Sequence, residues 1–473
     1  MNTTRANESA VATHVTKRTT YLKHLLTQAS AAADESGLGL KALRERAQAL
    51  VNERSFPHGK DEEWRFTDLS DLLNHPFQRA EKAAAVSAEI GSEIGNKLAE
   101  IDSQYKLTTL NGYFAEALSA DSFSVESNGS PTGVLIAPLS KLIATSDIKV
   151  SGSDADSATD SSRRISQSLP GLLADKLAQI QGSGEVFTAL NTAGFSDVMV
   201  VWVPANQVID TPIEIIRGAV GSSISHLRTL VVAEPHAKFT LVESFTGDEQ
   251  ARCNTSVSEF WLADSAQVTH IRLQDEGAQT FHLAKTAVSQ AANSHYHCTS
   301  IDLGAQLSRH HHEIYQTGSQ TDTHLYGLST LAASQLADTH SLIALTHPHS
   351  SATQVQKNIV DDRAHSVFNG KIYVAKAAQM ANAAQLNRNL MLSKHARIDT
   401  KPELNIVADN VKCAHGATVS QLQADEMFYL QSRGISAEQA QRLLRYGFAM
   451  EIIEKIEVES LRQALSDRLN QSN

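Results

Sequence analysis

Between Tyr21 and Glu100 apolar residues recur every three or four positions, and Leu40, Leu43, Ala47 and Leu50 form one stripe among charged neighbours. That spacing lines one face of a helix, so the first part of the chain predicts amphipathic helices. Pro57 and Gly59 interrupt the pattern ahead of Trp64 and Phe66, an aromatic pair expected to act as a packing anchor. Residues 151–164, rich in Ser, Asp and Gly, predict an exposed or disordered loop. From Asp197 the texture changes to short β-rich runs at 198–203, 229–232 and 239–242, which predict strands. A small residue recurs after a turn at Ala237, Ala266, Ala364 and Ala396, in steps of roughly 29 to 32 residues or their multiples. An echo of that length fits a coiled repeat whose rungs bury strands against one another, a parallel β-helix or solenoid. Helical spacing returns after Val419. Ser436 and Gln439 stand at capping-box spacing, Leu443, Leu444, Gly447, Phe448 and Ile452 form one stripe, and Val458, Leu461, Leu465 and Leu469 form another. The predicted organisation is a helical region over 1–150, a linker over 151–190, a β-helix core over 191–419 and a helical domain over 420–473. The last is too small to bury both of its stripes, so it must lean on the β region or on a partner.

Bulk properties narrow the function classes. At 473 residues the chain exceeds what one compact core accommodates, consistent with two or three regions. A hydrophobic share of 41% with 20% charged residues describes a soluble globular protein. No run approaches the roughly 20 apolar residues of a membrane span. The polar opening at 1–17 lacks the apolar stretch of a secretory signal, so cytoplasm or an organelle stroma is the expected location. The formal charge of -11, without a cluster of Lys and Arg, argues against nucleic acid while leaving a basic protein partner open. Three scattered cysteines, Cys253, Cys298 and Cys413, make neither a disulfide framework nor a four-cysteine cluster site. Neither a phosphate-cradling Gly-x-x-x-x-Gly-Lys-Ser/Thr nor a Gly-x-Gly-x-x-Gly after a strand is present, so no nucleotide is expected to bind. There is no Gly-x-Ser-x-Gly elbow, and carboxylates such as Asp361 and Asp362 define no acid-base pair. The chain is therefore expected to have no catalytic residues.

Metal chemistry, if any, falls to the 20 histidines and the few thiols. His310, His311 and His312 lie in a predicted strand, where at most two can share a face, and a surface or turn role is expected for them. His295 and His297 share one face with Cys298 on the other, so that run is read as structural. His347-Pro348-His349 reads as a turn. Cys413 and His415 differ, because their i, i+2 spacing puts a thiol and an imidazole on the same face of a strand. Thiolate and imidazole suit Fe(II) or a nascent iron-sulfur cluster. Two ligands do not complete a site, so others would come from another subunit. The alternative is a buried cysteine beside a hydrogen-bonded histidine.

The runs Gln-Leu-Asn-Arg-Asn-Leu-Met-Leu-Ser at 385–393, Asp-Thr-Lys-Pro-Glu-Leu at 399–404, Val-Lys-Cys-Ala-His-Gly-Ala-Thr-Val at 411–419 and Phe-Tyr-Leu-Gln-Ser-Arg-Gly-Ile at 428–435 resemble, in order and spacing, the C-terminal half of the SufD branch of the SufB/SufD family. The Phe-Pro and Glu-Glu-Trp-Arg-Phe-Thr-Asp elements within 56–68 resemble the family's N-terminal signature. Asn410 departs from the pattern, an acidic residue being usual there. The resemblance implies a mainly β protein, a right-handed parallel β-helix with N- and C-terminal helical domains. It implies a non-catalytic scaffold subunit of a SufBCD complex that assembles nascent iron-sulfur clusters at a SufB-SufD interface. His415 would help hold the transient cluster, with Cys413 the weaker candidate. The ATPase SufC would dock on the C-terminal helices around Phe428, Tyr429, Leu430, Arg433, Gly434, Leu443, Leu444 and Phe448. The alternatives are a SufB-like homodimeric scaffold and a β-helix enzyme acting on carbohydrate. Cluster type, flavin binding and the state of the isolated chain stay open.

Overall fold

The computed structural model describes residues 16–31, 40–82, 101–119, 133–144, 149–151, 166–168, 176–182 and 184–471. Successive strands from Met199 onward alternate between two sheets and pair in parallel with the strand one rung away. The ten-stranded sheet runs from Tyr113–Phe114 and Tyr105–Leu110 through Ile213–Ala219 to Lys412–Gln421. The nine-stranded sheet runs from Leu135–Pro138 to Arg397–Ile406. Along the larger sheet, strands begin at Lys238, Gln267, His295, Asp322, Ser351, Asn382 and Lys412, so a rung takes 27 to 31 residues. The expected parallel β-solenoid is the structure. The echoed positions mark its corners: Ser265 and His236 turn the chain with φ of 60°, and the next residues, Ala266 and Ala237, are fully buried. A small side chain is required there because it faces the narrow angle between the two sheets.

Alternate residues of each strand face the space between the sheets, and there the apolar column containing Phe239, Val268, Tyr296, Cys298, Leu325 and Ala383 packs against Phe260, Val288, Ile314, Ile343 and Ile372. The outer faces are covered as well. On the nine-stranded sheet, Ile224, Cys253, Phe281 and Leu307 pack against the helix 16–31, the helix Lys41–Glu53 and the buried helix Val186–Gly194. On the ten-stranded sheet, Ile271, Leu273, Ile301 and Leu328 pack against Ile452, Ile453, Leu461 and Leu465 of the helices Ala437–Ile453 and Glu459–Gln471. Each such aliphatic side chain removed from water contributes about 1.5–3 kcal/mol. The C-terminal helices thus lean on the β region, and Ala437–Ile453 carries the predicted capping box of Ser436 and Gln439.

Three expectations need correction. Strands Tyr105–Leu110 and Leu135–Pro138 lie within the stretch read as helical and extend the two sheets by their first rung. They are six and four residues long, and in runs that short periodicity does not separate strand from helix. Trp64 is the buried anchor, packed on Phe187, whereas Phe66 is half-exposed. His310 and His312 are not surface residues: they face the interior, are 2% and 4% exposed, and burial holds both imidazoles neutral, His312 at about 3. Their rings lie 3.8 Å apart, while His311 points outward. The expected loop at 151–164 falls, beyond residue 151, outside the described residues.

The interior also holds charges. Glu243 accepts from Thr229 at 2.7 Å and Ser258 at 2.8 Å, and His270 Nε2 lies 3.2 Å from it. Burial opposes both charges, but His270, Arg217 and Thr229 hold Glu243 down at about 2, and Cys298 and Glu243 hold His270 up at about 9. A depressed carboxylate gives stability above its ordinary 4.5 that is lost as pH falls toward 2. A raised imidazole gives stability below its ordinary 6.5 that is lost as pH rises through 9. The pair is therefore most stabilising between 4.5 and 6.5. Urea midpoints of the native protein minus those of the Glu243→Gln/His270→Gln variant should peak in that window. A difference independent of pH would contradict the assignment.

Candidate functional site

The strand Lys412–Gln421 ends the ten-stranded sheet, and Arg397–Ile406 ends the nine-stranded one, so the last rung presents two strand edges with no further strand beside them among the described residues. Lys412–Gln421 pairs with Asn382–Met391 in a register that sets Cys413 beside Ala383 and His415 beside Gln385. Ala383 and Gln385 are buried side chains of the interior face, so Cys413 and His415 point into the open mouth of the solenoid. The sequence reading of a shared face is correct. Cys413 is half-buried against the interior apolar column, and that burial pushes its thiol up, opposed by a hydrogen bond with the Ala383 backbone. His415 is exposed, and its imidazole makes no hydrogen bond or ion pair to any described residue. The alternative of a buried cysteine with a hydrogen-bonded histidine is therefore not what the geometry holds.

No third His, Cys, Asp or Glu joins these two in a group able to hold an ion, among the described residues. The mouth is also apolar at its rim, where Ile406, Val407 and Val419 are 41%, 48% and 50% exposed. An unpaired parallel edge flanked by exposed aliphatic side chains is a template for another chain. What the rung offers chemically is one thiol and one imidazole on a shared face, beside an unpaired edge with exposed aliphatic side chains.

Residues 15–215 match the family profile described as the SufBD protein N-terminal region, and residues 215–448 match the SUF system FeS cluster assembly, SufBD core domain. The chain belongs to the SufB/SufD family. It is 40% identical, over 96% of its length and 95% of the relative's, to an iron-sulfur cluster assembly SufBD family protein of Synechocystis sp.. It is 31% identical to a chloroplastic protein of Arabidopsis thaliana, over 93% of this chain and 88% of that one. It is 27% identical to the iron-sulfur cluster assembly protein SufD of Escherichia coli, over 88% and 89% respectively. The SufB/SufD family is one of iron-sulfur cluster assembly, and no helix among the described residues is long and apolar enough to cross a membrane.

Within this SufB/SufD chain the residues read as a docking site separate into two sets. Phe428 and Tyr429 of the helix Ala424–Ser432 and Leu443 of the next helix are 72%, 58% and 45% exposed. Leu430 and Leu444 line a shallow hollow with Tyr429, rimmed by Asp425 and Glu426. Arg433 stacks over the Tyr429 ring at 5.3 Å, and Gly434, at a φ of +85°, ends the helix in a conformation that disfavours a side chain. Phe448 does not join this surface. It packs toward the solenoid, with Lys357 Nζ 4.2 Å from its ring centroid.

The sequence reading missed the partners of His295 and His297. Asp322 and His324 stand one rung away in register with them, and the signal was the rung length itself: adding 27 residues to each histidine reaches them.

Proposed function

We propose that this chain is a SufD-type scaffold subunit that acts only within an assembled SufBCD complex, its last rung pairing with SufB and its C-terminal helices receiving the ATPase SufC. The nascent iron-sulfur cluster is the cargo of that interface, held by His415 with a lesser contribution from Cys413 and completed by thiolates of the partner. The observation that carries this reading is the unfinished ligand pair on an unpaired, apolar edge. A mouth lined by one imidazole and one thiol has the donor chemistry for iron but not the number of ligands a cluster needs. The chain itself acts as a non-catalytic scaffold in the cytoplasm or a plastid stroma, and nucleotide turnover belongs to SufC. The exposed aromatic hollow, with its acidic rim, suits a basic apolar protein surface.

A crossed co-purification tests the two surfaces at once. Val419→Asp places an unpartnered charge on the edge and should cost SufB association at least ~10-fold in affinity, the scale of one well-packed contact. It should leave SufC binding unchanged. Phe428→Asp should do the reverse. Both variants should keep the native melting temperature, because both side chains are exposed. Retention of both partners by both variants would refute the assignment, as would a stable homodimer that excludes SufB.

A further inference from the structure

Outside the mouth, a second group of metal-ligating side chains stands on the outer face of the ten-stranded sheet. The strands His295–Asp302 and Asp322–Leu331 pair with His295 beside Asp322 and His297 beside His324. Outward i, i+2 positions on neighbouring strands place four side chains at the corners of a small rectangle. Three imidazole nitrogens converge on one carboxylate oxygen: Asp322 Oδ2 lies 3.1 Å from His324 Nε2, 3.2 Å from His297 Nε2 and 3.7 Å from His295 Nδ1. The ligand atoms of His295, His297 and Asp322 all fall within 4.8 Å of one another. For bonds of about 2.0–2.1 Å in a tetrahedral site, ligand atoms stand roughly 3.3–3.4 Å apart; the three nitrogens already stand near that distance from Asp322 Oδ2, while His324 lies outside the group of three whose ligand atoms are all within 4.8 Å of one another.

The surroundings orient this set. Tyr326 OH bonds His324 Nδ1 at 2.7 Å, which turns His324 Nε2 toward the centre. Ser351 donates to Asp322 Oδ1, leaving Oδ2 directed at the imidazoles. Such outer hydrogen bonds are the usual means of fixing a ligand's rotamer and tautomer. The four side chains are 25% to 45% exposed, so exchangeable water can reach the centre. Three imidazoles and one carboxylate suit Zn(II), Fe(II), Co(II) or Ni(II) and are poor donors for Mg(II) or Ca(II).

We propose that His295, His297 and Asp322 form the core of a surface site for one divalent first-row transition ion, with His324 drawn in as a fourth ligand on binding, separate from the Cys413 and His415 pair. The ion would clasp two adjacent rungs, and Tyr326 connects it to the C-terminal helices, since Lys455 Nζ lies 5.4 Å from the Tyr326 ring centroid.

The test uses the full chain, stripped with chelator and titrated anaerobically with Co(II), whose visible bands report a tetrahedral or five-coordinate site, and separately with Zn(II) by calorimetry. One equivalent of each should bind, with the bands appearing on Co(II) and disappearing when Zn(II) displaces it. Asp322→Asn and the double variant His297→Gln/His324→Gln should each weaken that binding at least ~10-fold, in keeping with the loss of inner ligands. His415→Ala should leave it unchanged, which separates this site from the mouth. Native and variant proteins without metal should melt alike, a control met by the exposed His295→Gln should the others unfold. Absence of a stoichiometric site, or equal affinity in the native and Asp322→Asn proteins, overturns the proposal.

Discussion

Complexes carrying His415→Ala are expected to accumulate no cluster while assembling normally. The two halves of that expectation have different physical sources. The His415 side chain is exposed and has no partner among the described residues, so its removal leaves no cavity and no orphaned buried group there. Substitutions at such positions shift stability by about 0.5 kcal/mol or less. The loss therefore falls on whatever the imidazole contacts in the assembled state, which under the proposed function is the nascent cluster. Removing one inner ligand from an incomplete set leaves the partner's thiolates without the geometry to retain iron. Cys413→Ala should be milder, because burial already keeps that thiol protonated in the free chain and it must be deprotonated before it can serve. If Cys413 does take part, cluster retention in the native complex should rise with pH more steeply than in Cys413→Ala. Visible absorption and acid-labile sulfide of the co-purified complex, made anaerobically, measure both effects. Full cluster content in His415→Ala would end the role assigned to this residue.

The solenoid was legible because its rung is a covalent ruler: turn, small residue and strand return at nearly constant spacing, as at Ala237, Ala266 and Ala364, all fully buried. The shared face of Cys413 and His415 was legible for the same local reason, a period of two along a strand. What period two cannot say is which face is inside. In Ile224–Ala233 all ten residues are buried, His226 and Arg228 toward the N-terminal helices and Leu227 and Thr229 toward the opposite strands. His310 and His312 were misread on that account. Alternation put them on one face correctly, but a polar triplet looks like surface unless the chain is known to enclose a polar interior in which Thr286 bonds His310 at 2.9 Å. The 295–324 cluster needed one more step, register between rungs. Strand spacing alone relates His295 to His297, and only pairing of the rungs brings Asp322 beside them. The first strands, Tyr105–Leu110 and Leu135–Pro138, were lost because each is too short to show a period, and tertiary pairing decides their state.

A buried carboxylate, Asp338, ties the N-terminal signature to the solenoid, and removing its charge should loosen that attachment. Asp338, 1% exposed on the strand Leu336–Leu345, faces outward beneath the Glu-Glu-Trp-Arg-Phe-Thr segment. It receives hydrogen bonds from Thr67 Oγ1 and Arg309, and His340 Nε2 lies 3.0 Å from it. Arg309 in turn stacks on Trp64, its guanidinium carbon 3.9 Å from the ring centroid, and Trp64 packs on Phe187. Burial would raise this carboxyl, but Arg309, His340 and Thr67 outweigh it and hold it far below the ordinary range. Asp338→Asn keeps the volume and removes the charge, leaving Arg309 buried beside a neutral amide. Breaking a buried pair by removing one partner costs about 3–5 kcal/mol, most of it the unpaired charge left behind. The urea midpoint should fall accordingly, and protease should cut near residues 54–66 in the variant before it cuts the solenoid. Replacing both partners, Arg309→Leu with Asp338→Leu, should cost less than Asp338→Asn alone, because no charge is then stranded. The acid limb supplies an independent reading. A depressed carboxylate contributes stability above its ordinary value of 3.8 and loses it as pH falls below, so the native protein should lose stability there faster than Asp338→Asn. Equal midpoints in the two proteins at neutral pH would mean that Trp64 and its neighbours, rather than this carboxylate, hold the N-terminal segment on the solenoid.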